Sequence, residues 1–156
     1  MKVLLKLVFI IFILSSCVSK KSILPDYSKS AYEPILVIKK QVEKTKCKFN
    51  VEIINRHNET YIVNSKIEVE NDSVKIESYS KNNSYLTQSD TILNFSKIDF
   101  LKILDAELKK SDSQIILAGN YQDIKISTTD STNLFYTRQS WGIINILEKG
   151  KSNLMK

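Results

Sequence analysis

The chain has 156 residues, 42% hydrophobic and 26% charged, with only three glycines and two prolines; that excludes Gly-rich, Pro-rich and repeat architectures and suits one domain with a real core. Its formal net charge of +6 is uneven, because residues 1–47 hold nine Lys against three acids whereas residues 48–156 hold fourteen charges of each sign. The body of the protein is therefore neutral, which removes the basic footprint that nucleic-acid binding requires.

At the N-terminus, Lys2 and Lys6 precede an uninterrupted apolar run from Leu7 to Leu14. A membrane-spanning helix needs about 20 apolar residues, so this stretch reads as the apolar core of a signal peptide over residues 1–16. The run closes on Leu14-Ser15-Ser16-Cys17, which resembles the lipobox of bacterial lipoproteins. The resemblance covers the first 17 residues only and brings no family for the mature domain. It implies cleavage after Ser16, a diacylglyceryl thioether on Cys17 and acylation (palmitate or similar) of the new amine. Burial of an acyl chain is worth about 0.8 kcal/mol per methylene, so two or three chains give a durable membrane anchor. Val18, rather than Asp, follows the cysteine, which within that family implies the outer membrane, and the basic Ser19-Lys20-Lys21, opposite in charge to the acidic surface-export signal of some bacteria, implies its periplasmic side.

Residues 17–32 read as the lipidated Cys and a flexible tether, with Lys20, Lys21 and Lys29 solvated or drawn to anionic headgroups, as Lys39 and Lys40 beyond them would be. A single domain over residues 33–156 follows. Pro34 suits a first helical turn, and Ile35, Ile38 and Val42 recur at helical spacing, predicting a helix over about 33–46; the β-branched run from Ile35 to Ile38 argues for a strand instead.

From Phe49 the period becomes two. Val51 and Ile53, then Tyr61, Val63, Ser65, Ile67 and Val69, then Val74 and Ile76 alternate with polar residues, predicting a three-stranded antiparallel meander with one wet face. Arg56 to Glu59 and Asn71-Asp72 supply its turns. Tyr85 to Phe95 is read as a fourth strand. Ser96 with Asp99 three residues on predicts a capped helix over about 97–110 covering the apolar face. Strands follow at Ile115 to Ala118, around Ile124 and Ile126, and from Leu134 to Tyr136, with a Gly119-Asn120 turn and a polar loop over 128–133. Ser140 to Lys149, stopped by Gly150, reads as a short helix, although Gly142 and three isoleucines pull toward a strand. The expected fold class is α+β: an antiparallel β-meander sheet with one or two helices covering one face.

No catalytic or metal-binding signature follows the leader, and no cofactor is expected. His57 is the only histidine and falls in a turn, which rules out a two-histidine metal site. The three glycines form neither a nucleophile elbow nor a phosphate-cradling loop. Glu68 and Glu70 lie together on the wet face of one strand, where solvation is the plain reading and a glycosidase pair the sharper one. With Cys17 acylated, Cys47 has no disulfide partner in the chain; its flanking Lys46 and Lys48 would lower a thiol pKa, but a half-buried strand cysteine is the simpler reading. Tyr121, Phe135, Tyr136, Arg138 and Trp141 form an aromatic and cationic cluster of the kind that dominates binding hot spots, with Phe135 and Trp141 also candidates for the core.

Asp72-Ser73-Val74, Asp90-Thr91-Ile92 and Asp130-Ser131-Thr132 resemble bacterial O-glycosylation sites, while the Asn-x-Ser/Thr triplets at Asn58, Asn71, Asn82 and Asn94 carry less weight. The expectation is a non-enzymatic envelope module, such as an inhibitor, immunity factor or assembly accessory, that binds an envelope protein. The alternative is an envelope hydrolase using a carboxylate pair or Cys47. A third class, a structural surface component, would display a long strand edge suited to pairing with another chain.

Overall fold

The structure, a computed structural model, describes residues 33–55, 60–111, 121–137 and 141–150. The expected signal peptide (1–16), Cys17 and the expected tether (17–32), His57 with its expected turn, the expected strand Ile115 to Ala118 with Gly119-Asn120, Arg138 and Ser140 lie outside the described residues.

Helix α1 (Glu33–Val42) leads into β1 (Lys46–Asn55), β2 (Tyr61–Glu70), β3 (Ser73–Asn82) and β4 (Thr87–Ser96). Helix α2 (Lys97–Ser111) follows, then β5 (Gln122–Ser127), β6 (Thr132–Thr137) and α3 (Trp141–Lys149). The strands make one antiparallel sheet in the order β4-β3-β2-β1-β5-β6, so the fold is α+β, a meander extended by a hairpin on its first strand.

Alternation builds the core, since in each strand every second side chain points to the same face. Phe49, Ile67 and Ile76 stand in one cross-strand row, fully buried, and Ile53, Val63 and Ile124 in another. The helices cover that face with Ile35, Ile38 and Val42 from α1, Phe100 and Leu104 from α2, and Ile143, Ile144 and Leu147 from α3. Each such burial is worth about 1.5–3 kcal/mol against leaving the side chain in water. Phe95 and Phe100 stack with ring centroids 5.3 Å apart where β4 turns into α2.

Local chemistry sets the boundaries. Asn71 takes φ +49 in the two-residue β2–β3 turn, a conformation asparagine tolerates, and its N–H donates to Thr45 O at 2.8 Å. Ser96 caps α2 by accepting the Asp99 N–H at 3.1 Å while its hydroxyl donates to Asp99 Oδ2 at 2.7 Å, as expected from their spacing. Gly150 ends α3 at φ +40.

The first segment is a helix, shorter than its expected reach to residue 46: Ile35, Ile38 and Val42 share the face toward the sheet while Leu36 is exposed, so helical period prevails over β-branching. Lys39 Nζ donates to Asp105 Oδ1 at 2.6 Å and ties α1 to α2. Tyr85 and Leu86 belong to the β3–β4 turn rather than to the fourth strand. The last strand begins at Thr132, so the loop before it is shorter than the expected 128–133. The terminal segment is helical because Ile143, Ile144 and Leu147 fall on one side of a turn.

A short polar chain crosses the core. Ser78 Oγ donates to Leu147 O at 2.7 Å and lies 2.7 Å from Ser65 Oγ, all of it buried. A hydroxyl has one hydrogen, so Ser65 must donate to Ser78. The bond occupies one of the four carbonyls that α3 leaves open at its C-terminal end.

Candidate functional site: the open face of the sheet

Among the described residues, the helices cover one side of the sheet only. Strand register arranges the opposite side in rows, one running Lys48, Glu68, Lys75, Asn94, the next Thr132, Ser127, Asn50, Lys66, Glu77, Ile92, and the next Leu134, Lys125, Glu52, Asn64, Tyr79, Asp90. The last two rows, from β5 to β4, line a trough of about 560 Å³. Its floor is amide and charge, supplied by Asn50, Glu52, Asn64, Lys66, Glu77 and Lys125, and Tyr79 and Ile92 stand on one wing. Leu134, across the sheet from Tyr79 in the same row, is also exposed.

A ladder of alternating charge runs from the trough floor, where Lys66 and Glu77 lie, into the neighbouring row. Lys48 reaches Glu68 at 2.7 Å, Lys66 reaches Glu68 at 3.1 Å and Glu77 at 3.8 Å, and Lys75 reaches Glu77 at 2.6 Å. The hydrogen bonds from Lys48 and then Lys66 hold the Glu68 carboxyl down at about 2, and the bond from Lys75 lowers Glu77. The same contact with Glu68 raises Lys48. A proton donor at neutral pH needs its carboxyl raised, so these acids act as fixed anions instead.

Glu70, the second acid of the pair read in the sequence, is exposed in the neighbouring row opposite Lys46 and Ser73. It does not converge with Glu68 on a cleft.

Cys47 is half-buried in β1, its thiol donating to Gln41 O at 2.9 Å. Burial pushes the thiol up, against smaller opposing effects of Lys44 and Lys97. The flanking Lys46 and Lys48 project from the other side of the strand, because neighbours in a strand face opposite ways.

The aromatic cluster is divided by the same rule. Phe135 is buried in the core, Tyr136 is half-exposed on the open face opposite Asp123, and Tyr121 is half-buried just before β5. Trp141 starts α3. The serines and threonines of the Asp-Ser/Thr motifs sit at the start of β3, in the middle of β4 and in the β5–β6 turn.

Asn50, Glu52, Asn64, Tyr79 and Lys125 were not singled out by the sequence. Their signal was there as the outward parity of β1 to β3 and β5, but parity alone cannot tell which strands will be neighbours. Among the described residues, no group of three or more His, Cys, Asp or Glu could hold a metal ion, and no helix is long and apolar enough to cross a membrane. No protein-family model, curated protein or solved structure matches the chain.

Proposed function

We propose that this chain is a lipid-anchored binding module of the bacterial cell envelope, without catalytic activity of its own, whose open sheet face takes an envelope protein. The observation that carries the reading is the asymmetry of the sheet: three helices bury one face, while the other keeps a trough with a polar and charged floor and aromatic or aliphatic side chains toward its edges. Protein interfaces combine apolar anchors with a polar surround in this way.

The state of the acids supports binding over hydrolysis. Lysines keep Glu68 and Glu77 ionised, which suits charge recognition, and the raised Cys47 thiol is a weak nucleophile. The anchor rests on Leu14-Ser15-Ser16-Cys17, with Val18 supporting the outer membrane and Ser19-Lys20-Lys21 its periplasmic side.

The test is affinity capture of the lipidated protein from its own membranes, with the wild type compared to a Tyr79→Ala, Lys125→Glu double variant. Both side chains face outward, so the variant keeps its fold by circular dichroism. A specific envelope protein lost from the variant supports the reading; an identical set of captured proteins refutes the open face as the site. Cys17→Ala in parallel should leave an unprocessed or released form, and normal cleavage with membrane retention would remove the lipid anchor from the proposal.

A further inference from the structure

Among the described residues β4 forms one edge of the sheet, that edge is self-complementary, and we infer that a second copy of this chain pairs with it, β4 against β4. Edge strands are ordinarily blunted by lysine, proline, bulges or shortness. β4 has none of these: it runs ten residues, pairs with β3 without a bulge from Thr87 to Ser96, and contains one charge, Asp90.

Residues opposed in a sheet share a face, so a two-fold axis relating two antiparallel copies must pass through a residue and not between two. An axis at Asp90 would set like charges against each other. At Thr91 it would set exposed Leu86 against polar Ser96, and at Leu93 against Phe100, which is fully buried.

An axis at Ile92 is different. It sets Ile92 against the second copy's Ile92, Asp90 against Asn94, Gln88 against Ser96, Thr91 against Leu93 and Ser89 against Phe95. It also brings Leu86, just before the strand, beside the second copy's Ile98, just after it. Leu86, Ile92 and Ile98 are 91%, 65% and 67% exposed, three of the most exposed large apolar residues among those described, and they are spaced symmetrically about Ile92.

The single charge then meets an amide, and each exposed apolar group meets another. The result is a continuous twelve-stranded sheet in which the two troughs, each partly lined by Asp90, Thr91 and Ile92, adjoin across the axis. This pairing is independent of what the open face binds.

Cysteine placed on the axis tests the register in the full chain, in its own membranes. Directly opposed Cβ atoms lie about 4.5–5.5 Å apart, within disulfide reach, whereas each residue of offset adds about 3.4 Å. Ile92→Cys should oxidise to a covalent dimer of twice the mass of the membrane-bound chain. Asn94→Cys alone should yield at least about tenfold less, while Asp90→Cys mixed with Asn94→Cys should restore the link. Ile92→Lys, at an exposed position, should keep its circular dichroism and lose dimer mass by light scattering in detergent. A monomeric wild type, equal cross-linking at 92 and 94, or a link from Ile92→Cys to a different protein would each overturn the inference.

Discussion

Removing the hydroxyl of Ser78 should destabilise the domain out of proportion to its size. Ser78 relays between Ser65 and Leu147 O with two 2.7 Å contacts, and it is 6% exposed. Ser78→Ala leaves two buried groups without partners, the Ser65 hydroxyl and the Leu147 carbonyl. At about 1–3 kcal/mol per orphaned buried group, the expected loss is about 2–6 kcal/mol, a large share of an ordinary domain's stability. Ser65→Ala removes a donor and strands only a lone pair on Ser78, for about 1 kcal/mol.

The double variant leaves one orphan, the carbonyl, so it should lose no more than Ser78→Ala alone. Urea unfolding of the four proteins, followed by circular dichroism, measures the cycle. A Ser78→Ala effect below about 0.5 kcal/mol, or single effects that simply add, would refute the relay.

Three further outcomes follow from the geometry. Glu68 is held at about 2 against an ordinary 4.5, so the stability it contributes is whole above about pH 4.5 and is lost as pH falls toward 2. Glu68→Gln should flatten the melting temperature across that window at low salt, and an unchanged slope would count against the ladder. The Cys47 thiol, raised by burial, should be alkylated at pH 8 more slowly than a free cysteine peptide, and mass spectrometry of the Cys47 peptide reads the rate; equal rates would show the thiol to be open. Gly150→Ala adds a Cβ at φ +40, 3.0 Å from Phe95 Cζ and 3.1 Å from Leu93, and should lower stability by about 1–2 kcal/mol in the same urea assay. No change there would mean that the α3 terminus can shift away from β4.

The meander was legible because alternation is a property of the chain: Val63, Ser65, Ile67 and Val69 are buried together, as their shared parity requires. The Ser96 cap and the Asn71 turn were legible for the same reason, since each depends on groups within three residues. The identity of α1 was balanced between two local preferences until the sheet supplied a surface for Ile35, Ile38 and Val42. The trough was not legible, because its floor joins Asn50, Asn64, Glu77 and Lys125, brought together only by the order of the strands.

By itself the sequence determined the period of the strands, the two-residue turn between β2 and β3 and the cap of α2, all of which depend on neighbours along the chain. Only the tertiary structure decided that β5 pairs with β1, which face stays uncovered, and that the lysines of β1, β2 and β3 hold Glu68 and Glu77 as anions. Those outcomes depend on which distant surfaces bury the most apolar area together, and no local preference encodes that choice.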